Sequence, residues 1–138
     1  MSTITGNRFL QNVALVVLAT LLSLLCSCTR DISSVQNKRG EGVKRVYPYP
    51  YSATWDATLN GIKKLGVFIQ DSEVSSGVIY GKIDRGGERG TYVGIYISKN
   101  SATSTEVEIV AKREDPANPF VGDWTDDIFQ AIETQLKK

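Results

Sequence analysis

From residue 44 onward, apolar and polar positions run in two distinct rhythms. Val46, Tyr47, Tyr49 and Tyr51 are interrupted by Pro48 and Pro50. The two missing backbone donors restrict that stretch to an edge strand or an extended lead-in. Trp55, Leu59, Ile62 and Leu65 then recur at steps of four and three, which is one apolar stripe of a helix. Ser52 is the expected N-cap, Lys63 and Lys64 suit the negative end of the dipole, and Gly66 is placed to be a left-handed terminator.

The rhythm next shortens to a period of two. Residues 67–70 (VFIQ) form a short apolar run. Residues 77–83 (GVIYGKI) put Ile79 and Ile83 on one face, and Val78, Tyr80 and Lys82 on the other. Residues 91–98 (TYVGIYIS) send Val93, Ile95 and Ile97 inward, and Tyr92, Gly94 and Tyr96 outward. Residues 105–112 oppose Val107, Ile109 and Ala111 to Glu106, Glu108 and Lys112. Such alternation between short turns predicts antiparallel hairpins with one covered face. A closing helix is expected with Thr125 as N-cap, Asp126 and Asp127 at its positive end, and Ile128, Ile132 and Leu136 as its stripe. Trp124 and Phe129 have hydrophobic-staple spacing. The expected fold is α+β: an antiparallel sheet of four to five strands with two helices on one face, in the order β-α-β-β-β-β-α.

The first 43 residues obey neither rhythm. Residues 1–12 are polar with one cation, Arg8, and residues 13–25 (VALVVLATLLSLL) are apolar apart from Thr20 and Ser23. This matches a secretory signal and is short against the roughly 20 residues of a membrane span. A span beginning at Phe9 would reach 17 residues, which leaves an uncleaved anchor as the alternative. Leu25, Cys26, Ser27 and Cys28 close the segment, and they resemble a bacterial lipobox. The resemblance implies a diacylglyceryl thioether on Cys28, with Leu25, Cys26 and Ser27 as the signal-peptidase recognition residues. Cys26 is the rival acceptor, but Leu25 stands directly before it, where that peptidase favours a small residue. A disulfide to a partner chain is the alternative use of the two thiols. Thr29, not Asp, follows the cysteine, which in enteric-type sorting implies the outer membrane, facing the periplasm. The expected organisation is a signal over 1–27, a lipidated cysteine and flexible tether over 28–43, and one domain over 44–138. As a coil, that tether would hold the domain roughly 20 Å from the lipid on average.

Composition narrows the chemistry. The 138 residues contain no histidine and two cysteines, both within the first 28 positions. Without Arg8, 15 cations meet 15 anions, so no nucleic-acid steering is expected. The expected domain has no imidazole, no thiol and no internal disulfide, and it is expected to be non-catalytic, without cofactor or small-molecule substrate. Lys38, Arg39, Lys44 and Arg45 cluster near the tether, either to meet anionic headgroups or simply as solubilising charge.

The run over 51–65 (YSATWDATLNGIKKL), with Gly66, Ser76-Gly77 before a strand, TSTEVEIVAKRED and a closing helix, resembles an uncharacterised family of small bacterial lipoproteins. The resemblance covers nearly all of the expected domain and implies no activity or catalytic residue. The segment PANPFVG before the last helix departs from it as an insertion.

Four further candidates remain. Asp71 with Glu73, and Glu106 with Glu108, are carboxylate pairs that look solvated. Asp115, Asp123, Asp126 and Asp127 bracket a loop over 114–127 that could bind Ca2+ or serve a small envelope enzyme, although helix-start aspartates also serve the dipole. DRGGERG over 84–90 lacks the Lys-Ser/Thr ending of a phosphate loop, and Arg85 and Arg89 there read as hairpin-tip solvation. The aromatic residues are the richer feature. Tyr92 and Tyr96 share one strand face, Tyr80 lies opposite, and Phe120 sits on a two-proline loop. A half-buried sheet face is the first reading of the tyrosines; the alternative makes these four, on the sheet face or the loop over 116–124, the candidate docking surface for an envelope protein partner.

Overall fold

The computed structural model describes residues 32–84, 90–117 and 122–138. The chain runs through α1 (Ser33–Gln36), β1 (Val43–Tyr47), α2 (Tyr51–Leu65), β2 (Phe68–Glu73), β3 (Val78–Ile83), β4 (Thr91–Lys99), β5 (Thr105–Arg113) and α3 (Thr125–Leu136). The five strands form one antiparallel sheet in the order β1-β5-β4-β3-β2. This is the expected α+β architecture, with α1 added ahead of it.

Strand β1 occupies an edge, stops just before Pro48, and pairs with β5 from Val43 to Ile109 through Tyr47 to Thr105. Helix α2 starts one residue before the expected cap. Pro50, at φ −60° and ψ 156°, holds the N-cap position, and its carbonyl takes both the backbone N–H and the hydroxyl of Thr54. Ser52 is an exposed helical residue. Gly66 terminates the helix at φ 86°, as its position predicts. Thr125 likewise is not a cap but the first residue of α3. The Asp123 carboxylate accepts its N–H at 3.1 Å and its hydroxyl at 2.6 Å. Strand β2 runs farther than the apolar run over 67–70, because its pairing with β3 continues past a bulge at Ile69 and Asp71 to Glu73.

Both long helices pack on one face of the sheet. Trp55, Ile62, Ile128, Phe129 and Ile132 meet Ile79, Ile83, Val93, Ile95, Ile97, Val107 and Ile109 in a single core. The helices touch at Gly61, where an added Cβ would come within 3.0 Å of the Ala131 backbone. Arg45 crosses the core's rim: its guanidinium lies 4.2 Å from the Phe129 ring centroid and pairs with Asp126 and Glu133, each at 3.0 Å.

The second face overturns one expectation, the flexible tether. Residues 32–42 belong to the expected flexible tether, yet they lie across this face as a strap. Val35, one of two apolar residues there, is wholly buried against Tyr92, Tyr96 and Val110. The strap can come so close because β4 carries Gly94 at the crossing, where a Cβ would sit 3.2 Å from that of Val35. Consequently every residue over 91–97 is buried, on both faces of the strand.

Candidate functional site

Tyr80, Tyr92 and Tyr96 are brought together as the β3–β4 register predicts, with the rings of Tyr80 and Tyr96 edge-to-face at 6.1 Å. They are not an exposed platform. Tyr92 is 6% and Tyr96 3% exposed, and Tyr80 is half-buried. The Tyr96 hydroxyl donates to the Val35 carbonyl and the Tyr80 hydroxyl to the Gln36 carbonyl at 3.1 Å. The candidate docking surface is therefore occupied by the chain's own strap. A sheet with helices on one side has a second face, and residues 32–42 of the expected linker cover its centre over Tyr92, Tyr96 and Val110. Burial pushes the Tyr96 hydroxyl up to about 12, with Tyr80 beside it adding to the rise.

Glu108 is the residue that sequence reasoning placed in solvent and the fold places inside. Its side chain is 3% exposed, and Oε1 accepts the N–H groups of Gly40 at 2.6 Å and Gly42 at 2.8 Å. Lys44 stands 3.8 Å away. Gly42 must be glycine, since a Cβ would fall 2.4 Å from the Ile109 carbonyl oxygen. A buried carboxylate that closes two backbone donors is a structural clamp. The glycines of the RGEG sequence and Gly94 within a strand were its signals in the sequence.

Asp71 and Asp127 are exposed, and the remaining carboxylate candidates have partners. Glu73 accepts from Ser75 and Ser76, each at 2.9 Å, and those bonds hold it below its usual range. Glu106 pairs with Lys44 at 3.2 Å. Asp115 takes the Ala117 N–H, Asp123 takes the Thr125 N–H and Asp126 holds Arg45. Among the described residues, no three carboxylate or thiol groups converge as a metal-binding set.

The basic cluster divides in two. Lys38 pairs with Glu41 at 2.9 Å, Lys44 with Glu106, and Arg45 with α3. Arg39 has a different setting. It donates to the Ser76 carbonyl at 2.9 Å and stacks 5.0 Å over Tyr96. It borders an open cleft of about 460 Å3 whose other walls include Tyr51, the turn over 74–77 and the end of β4 at Ser98 and Lys99.

Leu25, Cys26, Ser27, Cys28 and Phe120 lie outside the described residues, as do Arg85 and Arg89. Among the described residues no helix is long and apolar enough to cross a membrane. Comparison with protein-family models and with curated proteins gives no match.

Proposed function

We propose that this chain is a membrane-anchored bacterial envelope lipoprotein, attached through acyl chains on Cys28, whose domain is a non-catalytic binding module for a protein or other envelope component. The observation that carries the reading is Leu25-Cys26-Ser27-Cys28 at the end of a 13-residue apolar segment. One acyl chain holds a protein only marginally, whereas two or more anchor it firmly. Thr29 after the cysteine favours the outer membrane, facing the periplasm. The absence of histidine, and the confinement of thiols to the first 28 residues, support binding over catalysis.

The strap adds a constraint on reach. Ile32 is four residues past Cys28, at most about 14 Å of extended chain. A domain so tethered stays at the lipid surface, and a partner must come to it there.

The test is intact-mass analysis of the chain expressed in a bacterium with lipoprotein processing. The wild type and Cys26→Ala should carry acyl chains with the signal removed, and Cys28→Ala should accumulate as unacylated precursor. Acylation surviving Cys28→Ala, or absent from the wild type, would sink the reading.

A further inference from the structure

The cleft beside the strap combines features that the clamp does not use. Arg39 and Lys99 both border it, from elements far apart in sequence. Lys38, Lys44, Arg45 and Lys82 each have a carboxylate within 4 Å; among the described residues Arg39 and Lys99 do not, as several other surface lysines do not, but these two border one cleft. Instead each meets a group that leaves its charge intact. Arg39 uses one donor on the Ser76 carbonyl and rests on the Tyr96 ring. The Lys99 ammonium lies 5.6 Å from the centroid of Tyr51, whose hydroxyl is tied to the Val74 carbonyl at 2.5 Å. A guanidinium has five N–H donors and an ammonium three, and among the described residues one Arg39 donor is taken, by the Ser76 carbonyl. Glu73, next to the turn that walls the cleft, is turned onto Ser75 and Ser76, and Glu106, across from Ser98, pairs with Lys44.

Two pre-positioned cations bordering one cleft call for an oxyanion, and the volume calls for more than an isolated ion. Small-molecule sites occupy roughly 300–1,000 Å3, and this cleft measures about 460 Å3. We propose that it binds a phosphate group carried on a small organic moiety, with Arg39 and Lys99 as the charged contacts, Ser98 adding a hydroxyl and Tyr51 a ring face. A tetrahedral phosphate can direct oxygens to cations on two elements at once, whereas a planar carboxylate presents a single two-oxygen edge. The carrier is either a soluble phosphate ester or a phospholipid headgroup. The inference deepens the binding-module reading but does not rest on lipidation of Cys28, so either can fail alone.

The test uses the purified full-length chain in non-ionic detergent, titrated with glycerol phosphate and followed by the fluorescence of Trp55, which stacks on Tyr51 at 6.2 Å, and by amide shifts of Gly77, Ser98 and Lys99. Saturable binding is expected, weakened by about tenfold or more in Lys99→Glu, as for removal of a charged contact. Lys112→Glu, the same charge change on an exposed residue outside the cleft, should bind as the wild type does. Arg39→Gln should also weaken binding, but it loosens the strap, so Lys99→Glu decides. Displacement of glycerol phosphate by short-chain phosphatidylglycerol assigns a headgroup ligand. Binding without such displacement assigns a soluble ester, and both results uphold the site. No saturable response, or equal losses in both lysine variants, would overturn it.

Discussion

The carboxylate of Glu108 accepts the backbone N–H of Gly42 at 2.8 Å, a bond from the second strand of the sheet to the end of the segment that covers it. The same oxygen takes the N–H of Gly40 at 2.6 Å, so one side chain holds the strap's return to β1. The strap's other end is held by Val35, through its buried side chain and through its carbonyl on Tyr96. Polar clamp and apolar plug together turn a linker-like sequence into part of the domain.

Removing the clamp should destabilise more than the loss of a solvated strand residue would. Glu108→Ala leaves two backbone donors without their acceptor. A loss of about 2 kcal/mol is expected, within the roughly 1–3 kcal/mol of an unsatisfied buried group. Glu108→Gln keeps an acceptor oxygen and should lose less. Urea unfolding ranks the three proteins, and hydrogen exchange should accelerate at Gly40 and Gly42 in the alanine variant. An alanine variant as stable as wild type would show that the clamp contributes nothing.

The domain boundary follows from the strap. A fragment over 44–138 keeps every strand except the first residue of β1, but uncovers Tyr92, Tyr96 and Val110. It should melt lower than a fragment over 31–138 and bind an apolar dye that the longer one ignores. Burial of Val35 alone contributes about 1.5 kcal/mol or more. Matching unfolding midpoints for the two fragments would show that the strap is a passive cover.

Gly61 lies where α2 meets α3, with the Ala131 carbonyl carbon and oxygen each 3.0 Å from the position of a Cβ. Replacing glycine inside a helix ordinarily stabilises by up to about 1 kcal/mol. Here overpacking opposes that gain, and for Gly61→Val the opposition wins because a branched side chain must push the helices apart. A net loss of about 1–3 kcal/mol is expected from the strain, measured by denaturant unfolding. Asn60 is the neighbouring helical position and is exposed, so Asn60→Val should stay within about 1 kcal/mol of wild type. Equal losses at the two positions would remove the helix contact as the cause.

Alkaline pH should release the fold through two tyrosines. Burial pushes Tyr47 up to about 12, with the Glu133 charge adding to the rise, and burial does the same for Tyr96. In the unfolded chain both ionise near 10. Between about pH 10 and 12 the unfolded state therefore binds fewer protons than the folded one, and stability falls as pH rises through that window. Below pH 10 the contribution is present in full. Thermal melts from pH 8 to 11.5 should show Tm dropping above pH 10, more shallowly in Tyr96→Phe. A slope identical in wild type and Tyr96→Phe would contradict this assignment for Tyr96.

The elements themselves were legible because each is written in local chemistry. The stripe from Trp55 to Leu65 and the stop at Gly66 needed no distant partner, and neither did the alternation from Val93 to Ile97. The helix caps were misplaced because Pro50 and Asp123, rather than the hydroxyl residues expected there, supply the first turn's acceptors. Of the site, the grouping of Tyr80, Tyr92 and Tyr96 followed from strand period, and a half-buried face was one reading of it, but the segment that covers them was not legible. The cleft cations Arg39 and Lys99 are 60 positions apart, and no local pattern relates them.

The sequence by itself determined the helix stripes, the strand faces, the edge position of the proline-flanked strand and the lack of imidazole and thiol in the folded part. Only the tertiary structure decided that residues 32–42 are domain rather than tether, and that Glu108 is a clamp rather than a solvated acid. The reason is physical. Periodicity reports which residues of one element share a face, whereas the fate of an aperiodic segment depends on what surface lies within its reach. Here that surface is a sheet face lacking a long helix, with Gly94 leaving room for Val35 and Glu108 placed to accept two glycine N–H groups.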